Sequence, residues 1–185
     1  NPPTMPGQDA SDSTTTDDTT DKQPVLLITG GKITVNADGD GLDSNGNLRV
    51  EGGDITINGP SNGGNGALDI GTENGGAGVI AGGTLIALGA SSMAENFDST
   101  STQCAFLVTM NSFGAGETIT ITDSQGTVLY TGVTVKSANS VVFSSADLSV
   151  GETYTVTIGS TSATVTQSST VVGNSNGFGG GFGRH

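Results

Sequence analysis

Apolar positions between residues 25 and 90 follow a repeat that three glycine pairs mark along the chain. The pairs are Gly30-Gly31, Gly52-Gly53 and Gly82-Gly83, so their first glycines are 22 and then 30 residues apart. One apolar ladder precedes the pairs by two residues, and two more follow the first glycine by three and by five residues. The aligned residues are Ile28, Val50 and Ile80, then Ile33, Ile55 and Leu85, and last Val35, Ile57 and Ala87. This alternation predicts short strands with one apolar face each.

Repeats of this length, with small residues at the corners and apolar ladders between them, are typical of parallel β-helices. Asn-Gly pairs such as Asn45-Gly46 and Asn58-Gly59 supply corners that need a positive φ. We therefore predict an all-β protein whose residues 25–90 form a short parallel β-helix of about three coils. The third rung differs, because Ile86 and Leu88 stand where the earlier rungs have Thr or Asn. An apolar outer face needs cover, which we expect from the following segment.

The spacing changes in the second half of the chain. Six short alternating segments predict an antiparallel β module over residues 91–166 that packs on the end of the coils. These segments are 105–110, 118–122, 127–130, 140–143, 154–158 and 163–166. Residues 123–126 and 149–152 are expected to form hairpin turns between strands. At the two ends we predict a Thr/Asp-rich linker over residues 1–24 and a flexible Gly-rich tail over residues 167–185.

The charge balance excludes one class of partner and favours another. The chain has 18 acidic and 5 basic residues, for a net charge of −13. Nucleic-acid binding depends on clustered Lys and Arg, so nucleic acid is not an expected partner. No apolar run reaches the roughly 18 residues of a transmembrane helix, so we expect no membrane insertion. Such acidity fits cations, or a partner that is reached through cations.

Composition also bears on the compartment. Cys104 is the only cysteine, so the chain has no internal disulfide. An acidic chain that is rich in Thr, Ser and Asn and poor in Lys is typical of extracellular bacterial proteins. We therefore expect an extracellular or cell-surface location.

Two Gly-rich loops carry closely spaced oxygen ligands. The loop N-A-D-G-D-G-L-D-S-N-G-N begins at Asn36, and the near-copy N-G-A-L-D-I-G begins at Asn65. If the loops stack as the strands do, Asp43 and Asp69 lie about one strand spacing apart, ~4.8 Å. Carboxylates at that distance repel each other unless a cation lies between them, and Ca²⁺ takes roughly 6–8 oxygen ligands. We therefore predict a calcium site. Its candidate ligands are Asp38, Asp40, Asp43, Asn65 and Asp69.

Two alternatives to a ligand-bridging calcium stay open. Asp and Gly are ordinary turn residues, so the loops could be solvated acidic turns that bind no metal. A bound calcium could also be purely structural and hold the two loops together. The residues alone do not separate these cases.

The inventory of catalytic groups argues against an enzyme. A lyase acting on acidic polysaccharide needs a base beside the metal-bound substrate, but Lys32 and Lys136 are isolated in the sequence. His185 lies in the predicted tail, so no histidine is available as a general base within the fold. Carboxylates gathered around calcium stay ionised and serve poorly as the acid of a hydrolase. We predict a non-catalytic binder, with Arg49, Lys32 and Asn58 as candidates for contact with the ligand.

Three runs of sequence carry a resemblance to a known family. They are I-T-G-G-K-I-T-V-N-A-D-G-D-G-L-D-S-N-G-N, G-G-D-I-T-I-N-G-P-S-N-G-G-N-G-A-L-D and A-D-L-S-V-G-E-T-Y-T-V-T-I-G. In this order, over roughly residues 26–160, they resemble a bacterial family of cellulose- and acid-sugar-binding β-helix proteins. The family's D-G-D-G-hydrophobic-D and N-G-A-L-D motifs fall on Asp38, Asp40, Asp43 and Asp69.

The resemblance implies a right-handed parallel β-helix, bound calcium, and secretion. It also implies non-catalytic binding of polygalacturonate-like acidic sugars and of cellulose. Members of the family usually carry further coils upstream, where this chain has its Thr/Asp-rich linker. A ligand surface on such upstream coils would therefore not carry over to this chain.

A structural role is the alternative function. The first strand, over residues 25–29 and 33–36, has no cap that the sequence reveals. An uncovered strand edge pairs readily with another chain. Residues 1–24, or the capping module of a neighbouring copy, would complete the edge and build a head-to-tail homopolymer. Such a polymer would form an extracellular fibre or surface matrix.

Overall fold

The computed structural model of the protein describes residues 23–173. In this range the protein is all-β with mixed and antiparallel sheets, as the sequence predicts. Two short 3-10 helices, Thr72–Asn74 and Ser91–Met93, are the only helical elements between residues 23 and 173. No helix in this part of the chain has the length and apolarity to span a membrane.

Residues 23–173 contain thirteen strands in three sheets. The strands are β1 (Val25–Asn36), β2 (Leu42–Asp43), β3 (Asn47–Asn58), β4 (Leu68–Asp69), β5 (Gly78–Ile80), β6 (Thr84–Gly89), β7 (Ala105–Phe113), β8 (Thr118–Thr122), β9 (Val128–Val133), β10 (Ala138–Ser144), β11 (Thr153–Ile158), β12 (Thr161–Thr166) and β13 (Val171–Val172). The largest sheet has the order β1-β3-β6-β10-β7-β13, with β5 also paired to β3. A second sheet has the order β12-β11-β8-β9, and β2 pairs with β4 alone.

The glycine-pair repeat predicts the register of the parallel rungs correctly. Strand β3 pairs in parallel with β1 on one side and with β6 on the other, so that Ile33, Ile55 and Leu85 lie in one ladder. The ladder that precedes the glycine pairs is present as well, because Val50 pairs with Ile28 and with Ile80. Stacked apolar side chains of this kind are buried at the middle rung. The predicted ladders are therefore confirmed, although between residues 23 and 173 the rungs do not form a closed solenoid.

The apolar outer face of the third rung is covered, as expected. Ile86 and Leu88 are 1% and 5% exposed, and they belong to the second hydrophobic cluster together with Phe106 and Phe143. The cover consists of the four-stranded antiparallel sheet and of strands β7 and β10, and β10 pairs antiparallel with β6. A strand that is buried on both faces carries an apolar run instead of an alternating one. This explains why β6 departs from the pattern of the earlier rungs.

One of the two predicted hairpins is wrong. Residues 123–126 do connect β8 to its antiparallel neighbour β9. Residues 149–152 connect β10 to β11, which lie in different sheets. The chain crosses over there, and the Tyr154 hydroxyl accepts a hydrogen bond of 2.7 Å from the Ser149 backbone N–H. The hairpin that the prediction misses joins β11 to β12 through Gly159, whose φ of 54° suits a tight turn.

Residues 167–173 are packed, although the sequence places them in a flexible tail. The Gln167 side chain is fully buried, and its amide lies within 2.9 Å of the carbonyl oxygens of Ala105 and Ser169. Strand β13 then pairs in parallel with β7. Residues 174–185 of the predicted tail and residues 1–22 of the predicted linker lie outside the described residues.

Candidate metal centre

Two strands of two residues each bring the acidic loops together. Strand β2 pairs in parallel with β4, so that Leu42 lies opposite Leu68 and Asp43 lies opposite Asp69. Leu42 and Leu68 are buried in the first hydrophobic cluster, and alternation then turns the two aspartates outward. The backbone N–H of Ser44 continues the pairing with a 3.0 Å hydrogen bond to the Asp69 carbonyl. The predicted stacking of Asp43 on Asp69 is therefore confirmed.

A glycine at the start of β2 allows the loops to approach this closely. The Gly41 backbone N–H donates to the Gly66 carbonyl at 3.0 Å. A Cβ atom at Gly41 would meet the Ala67 carbonyl oxygen at 2.3 Å and a methyl carbon of Ile57 at 2.6 Å. By contrast, a Cβ atom at Gly39 would meet no atom within 4 Å. Only one glycine of the D-G-D-G run is thus required by close packing.

Three carboxylates from the stacked loops converge on one point. Asp40, Asp43 and Asp69 each offer one oxygen, and these oxygens all lie within 4.8 Å of one another. One oxygen of Asp40 accepts a 2.8 Å hydrogen bond from the Gly66 backbone N–H, which holds that side chain over the second loop. One oxygen of Asp43 accepts from the backbone N–H of Asn45 at 3.2 Å. We refer to Asp40, Asp43 and Asp69 as the acidic site.

The negatively charged carboxylates of the acidic site repel one another. Burial raises the pKa of Asp69, and the neighbouring carboxylates of Asp40, Asp43 and Glu73 raise it further. Like charges ~5 Å apart repel by ~3 kcal/mol at an effective dielectric constant near 20, and solvent lowers that figure at an exposed site. A divalent cation in the centre would replace this repulsion by coordination.

The basic side chains of the described chain are engaged elsewhere. Between residues 23 and 173 the ion pairs are Lys32 with Asp54, Arg49 with Glu51, and Lys136 with Asp38. None of these pairs includes a carboxylate of the acidic site. The charge of the site is therefore not neutralised by a salt bridge within this part of the chain.

A cavity of about 260 Å³ opens beside the acidic site and adds two oxygen-bearing side chains. Asn65 and Glu95 line it together with Asp40 and Asp69. Glu95 is 9% exposed, and one of its carboxylate oxygens accepts a 2.7 Å hydrogen bond from the Ile70 backbone N–H. Burial raises the pKa of Glu95, and the charges of Asp69, Glu73 and Asp40 add to the increase.

Sequence reasoning missed Glu95. It lies in the connector between β6 and β7, which has neither the glycine pairs nor the alternation of the rungs. Phe97, which is buried in the first hydrophobic cluster, holds this connector against the rungs. No local pattern marks a glutamate in such a segment as part of a distant site.

Asp38 lies outside the acidic site, although its loop position made it a candidate ligand. Its carboxylate accepts a 2.6 Å hydrogen bond from the Lys136 ammonium. This hydrogen bond and the lysine charge lower the pKa of Asp38. The lysine also donates to the backbone carbonyl of Ala37, so it ties the loop to the β9–β10 connection. Among the five candidate ligands, Asp40, Asp43 and Asp69 are brought together, and Asn65 lines the adjoining cavity.

The three candidate ligand-contact residues have different surroundings. Arg49 and Lys32 are exposed, but each is paired with a carboxylate on the same sheet. Asn58 is 3% exposed, and its amide donates a 2.7 Å hydrogen bond to the Asn36 side chain on the next rung. Asn58 therefore serves the stack of rungs, where it forms a polar ladder, and is turned away from a surface ligand.

Comparison with known proteins adds nothing to the geometry. No family model, curated protein or solved structure matches this chain. The function is therefore argued from the site itself. Three converging carboxylates with an amide and a fourth carboxyl group beside them form a set of hard oxygen donors, which suits a hard divalent cation.

Proposed function

We propose that the acidic site binds Ca²⁺ and that the bound ion holds an acidic polysaccharide on the protein surface without cleaving it. The observation that carries the proposal is the convergence of three carboxylates from two stacked loops, with one oxygen of each within 4.8 Å of the others. Such a site exists only in the folded chain. It therefore depends on the register of β2 on β4.

The donor set favours Ca²⁺ over other metals. The three carboxylates of the acidic site, and the side chains of Asn65 and Glu95 beside it, can all coordinate a metal through oxygen. Soft metals prefer thiolate or imidazole ligands, and Mg²⁺ needs near-octahedral geometry at shorter distances. Ca²⁺ accepts roughly 6–8 oxygens in irregular arrangements, which suits ligands from two separate loops. Asp40, Asp43 and Asp69 would supply the charge, and Asn65 and Glu95 would supply further oxygens.

Charge and exposure support a bridging role. Asp43 is exposed and Asp69 partly so, so an ion bound here would lie at the surface with room for ligands from outside the protein. A chain of net charge −13 repels an anionic polysaccharide. A calcium ion that shares its coordination sphere between protein and sugar carboxylates would offset this repulsion at the point of contact.

The same arrangement supports binding without catalysis. Elimination from an acidic sugar needs a base beside the metal-bound carboxylate. The described basic residues Lys32, Arg49 and Lys136 are each paired with a carboxylate outside the acidic site. The acidic site therefore offers ligands and charge, while the basic side chains of residues 23–173 are engaged away from it.

An acidic sugar fits this surface better than cellulose. Neutral sugars commonly stack on exposed aromatic rings. Here Phe106, Phe143 and Tyr154 are each at most 2% exposed, because their rings pack together in the second hydrophobic cluster. Tyr130 is half-buried against Phe143. Residues 23–173 thus present no flat aromatic surface for a cellulose chain.

The proposal also includes the β-helical architecture of the parallel strands. We read the parallel rungs β1, β3 and β6, with β2 and β4 as a second short face, as coils of a right-handed parallel β-helix. The confirmed ladders support this reading. The order of the sequence motifs, which resembles that of secreted carbohydrate-binding β-helix proteins, implies the same fold. An extracellular or cell-surface location would supply the millimolar calcium that a partly exposed site requires.

Binding of polygalacturonate by the full chain tests the proposal. Isothermal titration is run in calcium and in EDTA, with Asp69→Asn as the site variant. Asp54→Asn is the matched control, because Asp54 is exposed and is paired with Lys32 outside the acidic site. We expect binding in calcium that EDTA and Asp69→Asn both abolish and that Asp54→Asn retains. Equal binding in calcium and in EDTA would show that calcium does not bridge the two.

A further inference from the structure

The outer edge of β1 is a long strand edge without a partner among residues 23–173. Strand β1 ends the largest sheet and pairs only with β3. Its inward residues Leu26, Ile33 and Val35 pack on the first hydrophobic cluster but are only partly buried. One rung further in, the residues paired with Leu26 and Ile33 are Leu48 and Ile55, which are at most 1% exposed. A further strand on β1 would give the first rung the same burial.

We infer that this edge binds a second copy of the same chain, with β1 of one copy antiparallel to β1 of the other. The pattern of β1 is symmetric about the Gly30-Gly31 pair. Inward apolar residues stand two and four positions before Gly30 and two and four positions after Gly31. Pairing across a two-fold axis at the glycine pair therefore places Leu26 opposite Val35, and Ile28 opposite Ile33. The two hydrophobic interiors would then be continuous.

The backbone of β1 supports the same register. The Pro24 carbonyl accepts from Asn47, and the Ala37 N–H donates to Asn58, so both residues point towards β3. Backbone groups of alternate residues point to opposite edges, which turns Leu27 and Thr34 to the free edge. In the symmetric register these two residues lie opposite each other as a hydrogen-bonded pair. The pattern of side chains and the pattern of free backbone groups thus agree.

The distribution of charge also favours this edge. Strand β1 contains no acidic residue, although the chain carries 18 of them, and its only charged residue is Lys32. Strand edges that avoid association usually carry charges or proline on their exposed side. In the proposed register Lys32 of each copy lies opposite Thr29 of the other, which pairs with Gly52 next to Glu51. There Lys32, which is paired with Asp54 of its own copy, would face the side of β3 that carries the Arg49–Glu51 ion pair of the other copy.

The opposite edge of the sheet makes a head-to-tail arrangement less suitable. There the sheet ends in β13, which has only two residues, against the 12 residues of β1. A closed two-fold pair matches β1 with itself, and among residues 23–173 the largest sheet then has no second long edge to extend. The expected product is a dimer and not a fibre. This inference does not rest on the proposed calcium site.

Sedimentation velocity of the full chain over a range of concentrations tests the dimer. Thr34→Pro removes a backbone donor on the free edge, where proline is tolerated in strands, and Thr34→Ala keeps that donor. We expect Thr34→Pro to raise the dimer dissociation constant at least about tenfold, the equivalent of about 1.4 kcal/mol. Thr34→Ala should leave the constant close to that of the unsubstituted chain. If Thr34→Pro fails to fold, Leu27→Lys places a charge at the opposing position instead.

Cross-linking tests the register. Chains with Leu27→Cys and chains with Thr34→Cys, both in a Cys104→Ser background, are oxidised alone and as a mixture. Hydrogen-bonded antiparallel pairs have Cα atoms about 5.5 Å apart, within the range of a disulfide. We expect covalent dimers in the mixture and few in either chain alone. A monomer at every concentration, a dimer that survives both Thr34→Pro and Leu27→Lys, or an open filament would each overturn the inference.

Discussion

Asp43 and Asp69 lie directly opposite each other on β2 and β4, although a complete rung of the chain separates them in sequence. The leucines before them, Leu42 and Leu68, are buried and fix this register from inside. A slip of one residue would turn the leucines outward and the aspartates inward. The acidic site is therefore a consequence of the parallel pairing of β2 with β4, and its stability and its chemistry respond to the same contacts.

Removing one carboxylate should change stability with opposite sign in the absence and presence of calcium. In EDTA, Asp69→Asn should raise the free energy of unfolding by up to about 1 kcal/mol, because solvent screens the repulsion that it relieves. In calcium at 100 times its dissociation constant, the unsubstituted chain gains about 2.7 kcal/mol that the variant lacks. Urea denaturation under both conditions measures the two differences. Destabilisation by Asp69→Asn in EDTA would contradict the repulsion described for the site.

Substitution by alanine should reduce stability to different extents at the two glycines of the D-G-D-G run. Gly41→Ala forces a methyl group against the Ala67 carbonyl, so we expect a loss of about 1–3 kcal/mol in stability. Gly39→Ala meets open space and should cost much less. Calcium affinity should fall in Gly41→Ala alone, since only this substitution pushes the loops apart. Thermal unfolding and calcium titration of the matched pair provide the measurement, and equal effects at the two positions would argue against close packing.

Asp38 should not behave as a metal ligand. Its carboxylate is held by Lys136, away from the carboxylates of Asp40, Asp43 and Asp69. We therefore expect Asp38→Asn to change the calcium dissociation constant far less than Asp43→Asn does. Isothermal titration with calcium compares the two variants. A loss of affinity in Asp38→Asn as large as that in Asp43→Asn would mean that Asp38 leaves Lys136 and joins the metal.

Glu95 should make the calcium-free protein less stable as the pH rises. Its pKa in the folded chain is raised above the ordinary value of 4.5, so folding favours the protonated carboxyl group. That contribution is fully present below the unfolded pKa and is lost as the pH rises through the folded pKa. In EDTA, Glu95→Gln should therefore gain stability relative to the unsubstituted chain as the pH rises above the ordinary carboxyl pKa of 4.5. Denaturation at several pH values measures the difference in the free energy of unfolding between the two proteins. A difference that does not change with pH would contradict a raised pKa of Glu95.

The repeated segments of the sequence predicted which residues pair between neighbouring strands. The glycine pairs and apolar ladders predict the register of β1, β3 and β6, because stacked rungs must align both their corners and their buried side chains. The same alignment predicts the pairing of Asp43 with Asp69. In each case the same type of residue occupies the same position in successive rungs, so an alignment of the rungs reveals the pairing.

Contacts between unlike segments were not predictable in this way. Lys136 meets Asp38 across 98 positions, and no pattern in either segment marks the other as its partner. Glu95 reaches the cavity from an irregular connector. The turn at residues 149–152 shows that turn residues indicate where a strand ends, but not which sheet the next strand joins. Here β11 joins the second sheet, and its Tyr154 packs in the second hydrophobic cluster.

Calcium titration of the full chain by calorimetry tests the central claim most directly. The unsubstituted chain, Asp43→Asn, Asp69→Asn and the control Asp54→Asn are compared under the same conditions. The account predicts saturable calcium binding that is at least about tenfold weaker in each acidic-site variant, a loss of about 1.4 kcal/mol, and unchanged in Asp54→Asn. No binding by the unsubstituted chain, or equal binding by all four proteins, would contradict it.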